Sequence, residues 1–261
     1  MYPSCVTPGS RISLELHPPV AYVALNHPPV NVIDIPMMEE LAAAIAQIEA
    51  RPDVSVIVLR GSATTFSAGV DVAAHVPETV REMLAKFHAI FLSLVNSRKV
   101  WVALVRGNCL GGGAELAMVC DIVLTAESAT WAFPEIQLGC FPPVAATALA
   151  ALVGQKRAAE LILTGRRFDG RQAHDWGLAN VAAVGTELDS QLEELLRRLG
   201  ILSPAALAVT KKAIYAWNAM HFDKGLARAE KIYNEELMQT EDAREGIEAF
   251  LERREPHWRG R

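Results

Sequence analysis

Gly107-Asn108-Cys109-Leu110-Gly111-Gly112-Gly113-Ala114-Glu115-Leu116 is the stretch on which the reading of this chain turns. It follows Val100 to Val105, an apolar run of the kind that forms a strand covered on both faces. It leads into an apolar helix expected over Ala114 to Cys120. Glycines entering a helix leave N-terminal N–H groups without partners, and such donors attract negative charge. The pattern lacks the Lys-Ser/Thr ending of a nucleotide P-loop and does not fit G-x-G-x-x-G. Close packing of a helix start on a strand is the competing reading, although three consecutive glycines, each with an entropic cost, exceed what packing needs. Glu115 follows Gly112 by about one helical turn, so its carboxylate falls near the same cavity. The helix dipole alone also accounts for an acid there.

Outward from this block the pattern alternates. Ile12 to Leu16 and Ala21 to Leu25 read as two strands joined at His17-Pro18-Pro19. Pro36 opens a helix whose buried stripe is Met37, Leu41, Ile45 and Ile48. Val54 to Leu59 is a second buried strand, a helix follows from Glu78 to Asn96, and Ile122 to Thr125 is a strand after the Gly-rich block. Strand, helix, strand in this order predicts parallel crossovers and a layered α/β core. After Pro143 the texture turns helical, with helices expected over Ala145–Leu152, Gln155–Leu163, Gln191–Leu199, Pro204–Trp217, Gly225–Met238 and Ala243–Glu252. Ser203-Pro204 supplies an N-cap and a first-turn proline. Thr240 and Ala243 do not make a capping box, while Glu241 and Asp242 suit a helix start. A soft boundary near residue 200 divides a core, 1–200, from a helical region, 201–261.

With 261 residues, 51% of them hydrophobic, the chain can bury one sizeable core. The formal net charge of −5 argues against nucleic acid as a partner. Cys5, Cys109, Cys120 and Cys140 are widely spaced, with no CxxC or Cys/His cluster, so no metal site is expected. Met1-Tyr2-Pro3-Ser4 does not begin a secretory signal, and the longest apolar runs, such as Val144 to Val153, are too short to span a bilayer. These features predict a cytoplasmic protein with reduced thiols and no membrane partner. The basic tail Arg253, Arg254, Arg259, Arg261 reads as a solvated end.

Two further segments carry chemistry. Phe66-Ser67-Ala68-Gly69-Val70-Asp71 is a turn of small residues able to leave an N–H pointing into space, or simply a tight turn. Glu135 stands in Trp131-Ala132-Phe133-Pro134-Glu135-Ile136, an apolar setting in which a charge is rarely buried without a partner; a surface turn after Pro134 is the alternative. Taken with the Gly111–Glu115 block, Cys120-Asp121-Ile122, Pro134 to Gly139 and the tail from Thr240 to Phe250, these segments resemble the crotonase (enoyl-CoA hydratase/isomerase) superfamily over nearly the whole chain.

The resemblance implies an α/β fold, a spiral of β-β-α turns with a C-terminal helical trimerisation region, assembled as a homotrimer or as a homohexamer of paired trimers. It implies an acyl-CoA substrate whose thioester oxygen sits in an oxyanion hole formed by the N–H groups of Val70 and Gly112. No separate cofactor is implied, since coenzyme A enters as part of the substrate. Glu115 and Glu135 occupy the family's two carboxylate positions, and retention of both favours adding water to an unsaturated acyl-CoA. An isomerase, a CoA-thioester or C–C hydrolase, and a non-catalytic acyl-CoA- or RNA-binding member of the fold are the alternatives. Ala68, Asp71, His75, Phe141 and Pro143 are the expected substrate-binding residues; Phe87 and Trp131 are further acyl-pocket candidates. The Asn26–Val32 segment and the Ala68 turn would grip CoA, helped by Arg253 or Arg254 from a neighbouring subunit. One departure stands out: where hydratases carry a Gly whose N–H meets the reacting water, this chain has Pro143, which has none. The run Gly139 to Ala145 looks more like hydratases of cyclic dienoyl-CoA thioesters, such as cyclohexa-1,5-diene-1-carbonyl-CoA. Straight-chain or branched enoyl-CoA remains the other reading, with crotonyl-CoA expected to be poor.

Overall fold

The computed structural model describes residues 9–76 and 78–260, apart from the side chains of 217–220. Cys5, Met1 to Ser4 and Arg261 lie outside the described residues. In chain order the elements are β1 (Ile12–His17), β2 (Val20–Leu25), β3 (Val32–Ile33), α1 (Ile35–Glu49), β4 (Val56–Arg60), β5 (Thr65–Ser67), β6 (Gly69–Val70), α2 (Val80–Asn96), β7 (Val100–Val105), β8 (Asn108–Leu110) and α3 (Gly112–Met118). There follow β9 (Ile122–Ala126), β10 (Thr130–Ala132), α4 (Pro143–Val153), α5 (Gln155–Thr164), β11 (Phe168–Asp169), α6 (Gly170–Asp175), β12 (Val181–Ala183), α7 (Glu187–Gly200), α8 (Pro204–Glu235) and α9 (Glu241–Glu252).

Each long strand leads into a short one and then a helix: β4, β5, α2; β7, β8, α3; β9, β10, α4. The long strands build one sheet in the order β1-β2-β4-β7-β9-β12, and the short ones a second, β11-β10-β8-β5. Only the β1–β2 hairpin of the large sheet is antiparallel. This is the expected spiral of β-β-α turns. The period-2 pattern sorts the large sheet's side chains. Val56, Val58, Val102 and Leu104 face Leu188, Leu192 and Leu196 of α7, while Ile57, Leu59, Trp101, Ala103 and Val105 face the main core. Both faces are therefore apolar, which is why these runs read as continuous rather than alternating.

The two helices expected over Pro204–Trp217 and Gly225–Met238 are one, α8, continuous from Pro204 to Glu235. Gly225, read as a helix start, is a contact point instead: a Cβ there would stand 2.7 Å from Thr147 Cγ2 on α4. Ser203 caps α8, accepting from Ala206 N. Lys211 anchors it, donating to Leu94 O and Lys99 O, both at 3.0 Å, and to Asp121 Oδ2 at 2.8 Å. Thr240 caps α9 through its hydroxyl. Cys109, Cys120 and Cys140 are free, buried thiols. Among the described residues no helix is long and apolar enough to cross a membrane.

Candidate active site

The Gly-rich block sits where β8 ends and α3 begins. Gly111 N donates to Ala132 O of β10 at 2.9 Å, and Glu115 N donates to Gly111 O at 2.9 Å. The Gly112 N–H therefore belongs to the first helical turn, whose donors have no partner within the helix. Gly111 adopts φ 51° and ψ −127°, a conformation open essentially to glycine alone. A Cβ on Gly111 would stand 2.7 Å from Glu135 Oε1, and one on Gly112 would stand 2.6 Å from Val70 Cγ2. One on Gly113 would stand 2.6 Å from Ser67 Cβ, so, contrary to the expectation from sequence, close packing accounts for all three glycines.

Val70 meets this block from β6, which pairs in parallel with β3. Asp71 N donates to Ile33 O at 3.1 Å. Successive amides of a strand point to opposite edges, so the Val70 N–H faces away from β3. The two turns approach closely, since a Cβ on Gly69 would stand 3.6 Å from Gly112 N.

A cavity of about 80 Å³ opens beside these donors. Ala68, Val70, His75, Phe87, Gly112, Glu115, Glu135, Phe141 and Pro143 all line it. Asp71 and Trp131 are not in its lining. The Asp71 carboxylate instead caps the 3-10 helix Val72–His75, accepting from Ala73 N. Trp131 is core, with Nε1 donating to Thr125 Oγ1 at 3.1 Å. In the tail, Arg254 pairs with Glu245 and Glu252 of its own chain.

Glu115 is buried, and its Oε1 accepts from Val144 N and Ala145 N, each at 2.9 Å. It therefore caps α4, the helix that Pro142 and Pro143 open without a side-chain cap of their own. Burial raises its pKa from 4.5 to about 7, against the lowering effect of the Ala145 and Val144 amides. Glu135 lies in the 3-10 helix Pro134–Leu138. As a residue it is half-buried, but Oε2 is buried and has no hydrogen-bond partner. Burial first, and the charge of Glu115 second, push the Glu135 carboxyl well above the usual carboxylate range. Two carboxyls on one cavity thus favour opposite protonation states, Glu135 keeping its proton while Glu115 titrates near neutrality.

Two residues that sequence reasoning did not single out also line the cavity, Cys140 and Tyr233. Cys140 directly precedes Phe141, and burial pushes its thiol up to about 11. Tyr233 comes from α8, far along the chain, and no local signal marks it.

Residues 15–261 match the family model described as enoyl-CoA hydratase/isomerase. The cyclohexa-1,5-dienecarbonyl-CoA hydratase of Thauera aromatica is 31% identical over 251 residues, covering 96% of this chain and 97% of that protein. A probable enoyl-CoA hydratase of Bacillus subtilis (strain 168) is 34% identical over 257 residues, covering 96% and 99%. An enoyl-CoA hydratase structure from Mycobacterium avium subsp. paratuberculosis K-10 superposes with a TM-score of 0.85 at 26% identity, covering 95% of this chain and 98% of that one. The chain belongs to the enoyl-CoA hydratase/isomerase family.

Proposed function

We propose that this protein is a hydro-lyase that adds water to an α,β-unsaturated acyl-CoA thioester. The observation that carries the reading is the pair of buried carboxyls, Glu115 and Glu135, on one cavity beside the N–H groups of Val70 and Gly112. A thioester oxygen held by those two N–H groups gains negative charge as water adds to the double bond. Preorganised donors stabilise that enolate by about 3 kcal/mol each. The ionised Glu115 takes a proton from water, and the protonated Glu135 delivers one to the α-carbon, the roles reversing for dehydration.

Coenzyme A enters as part of the substrate, lying along Ala68 and the Asn26–Val32 segment, with no other cofactor in the scheme. Exposed Val209 and Ile214 on α8, and Phe250 and Leu251 on α9, support a trimer or paired trimers built through region 201–261. The likeness of sequence to the Thauera hydratase and the aromatic walls Phe87, Phe141 and Tyr233 support a cyclic dienoyl-CoA as the acyl group. A cytoplasmic location fits CoA thioesters as substrates.

The test incubates the purified protein with crotonyl-CoA, 3-methylglutaconyl-CoA and cyclohexa-1,5-diene-1-carbonyl-CoA in oxygen-18 water, with products read by mass spectrometry. Label in the cyclic product, with little in the crotonyl product, is expected. Fast labelling of crotonyl-CoA would remove the cyclic preference, and unlabelled isomer or free CoA would replace hydration by isomerisation or hydrolysis.

A further inference from the structure

The cavity that holds the two carboxyls also holds a tyrosine that the mechanism above does not use. Tyr233 is 1% exposed, and its buried hydroxyl has no nitrogen or oxygen partner, only the weakly bonding sulfur of Cys140. The Cys140 thiol stands beside it, and burial together with that neighbour raises the phenol well above its ordinary pKa. A buried hydroxyl without a strong partner is costly to keep, so its presence in the cavity wall points to a ligand atom that completes it.

His75 supplies the complement. Its Nδ1 lies 3.0 Å from Asp71 O. A carbonyl oxygen only accepts, so Nδ1 carries the proton. Burial lowers the imidazole pKa, so the ring is neutral and Nε2 is an acceptor. The His75 and Tyr233 rings have centroids 6.5 Å apart, and both line the cavity. An oxygen seated between them meets a donor on one side and an acceptor on the other. A hydroxyl satisfies both at once, accepting from Tyr233 and donating to His75. The surrounding wall is Met83, Leu84, Leu138, Phe141 and Ile247. Among the described residues lining the cavity there is no lysine or arginine to meet a second carboxylate, and the ionised Glu115 would repel one.

We propose that Tyr233 and His75 form a neutral clamp for a hydroxyl carried by the acyl group at C4 or beyond, so that the acyl moiety is a hydroxylated ring or chain rather than a plain hydrocarbon or a dicarboxylic one. This rests on the hydratase reading for the orientation of the thioester, and it narrows that reading's acyl group.

Saturated acyl-CoAs test the clamp without any turnover. Hexanoyl-CoA, its 4-, 5- and 6-hydroxy derivatives, and adipyl-CoA are titrated calorimetrically into the full chain, into Tyr233→Phe and into His75→Leu. At least one of the 4-, 5- or 6-hydroxy ligands should bind about tenfold or more tightly than hexanoyl-CoA, and adipyl-CoA more weakly. Tyr233→Phe, which keeps the ring that forms the wall, should cut that preference to within about threefold. If Tyr233→Phe does not fold, as judged by circular dichroism, the same loss in His75→Leu decides. Equal binding of all neutral ligands, or a preference that survives both substitutions, overturns the clamp. Because these ligands do not react, a missing label in the oxygen-18 screen beside an intact Tyr233-dependent preference would remove the hydratase reading and leave the clamp standing.

Discussion

Glu115→Gln separates two roles of one carboxyl, the cap on α4 and the titrating member of the pair. Folding moves this group from 4.5 to about 7, chiefly through burial. Between those values the unfolded chain has released a proton that the folded chain still holds, so stability falls as pH rises through the window. The fall totals about 3 kcal/mol, complete above about pH 7 and absent below about pH 4.5. Glutamine cannot ionise, yet its Oε1 still accepts from the Val144 and Ala145 amides that Glu115 now caps. The variant should match the wild type near pH 4.5 and exceed it by about 3 kcal/mol at pH 8. Urea unfolding of both proteins at intervals from pH 4.5 to 9 measures the difference, and turnover at each pH should fall by about 100-fold or more. A stability difference that is flat with pH, or that grows toward acid, would refute the placement of a buried, burial-raised carboxyl at residue 115.

Other substitutions probe the surrounding frame. Gly111→Ala forces a Cβ onto a backbone at φ 51° and within 2.7 Å of Glu135 Oε1, so it should cost about 1–3 kcal/mol in thermal unfolding and most of the turnover. Pro143→Ala restores an N–H at the first residue of α4, next to the amides that Glu115 holds. It should raise the rate on crotonyl-CoA by about tenfold while losing under about 1 kcal/mol of stability, and an unchanged rate would show that water is held without that contact. Lys211→Met leaves the largely covered Asp121 without its cation and should destabilise the chain by about 2–3 kcal/mol in urea, with turnover per folded molecule little changed.

Sequence pattern carried the long strands and the donor block because both are local. Val56 to Leu59 and Val100 to Val105 are apolar at every position, which only a strand buried on both faces requires. Gly111 declared itself because no other residue tolerates its backbone angles. The second sheet was not legible. Its strands are two or three residues long, such as Phe168–Asp169, too short for any period to emerge. Gly225 misled for a related reason, since a glycine that admits Thr147 and a glycine that starts a helix look alike in sequence. The role of Glu115 as a cap on α4 was equally hidden, because it joins residues 29 and 30 positions apart. Tyr233 is the extreme case. It reaches the cavity from α8, and only the folded path of that helix past Cys140 and Phe141 brings it there.

The most direct test of the central claim follows both atoms of the addition at once. The wild type and Glu135→Gln are incubated with the enoyl-CoA that the label screen finds best, in heavy water enriched in oxygen-18, and the product is examined by mass spectrometry and NMR. The account predicts one oxygen-18 in the product hydroxyl and one deuterium at the α-carbon from the wild type, and neither from Glu135→Gln. Full labelling by Glu135→Gln, or a wild-type product bearing deuterium without oxygen-18, would contradict it.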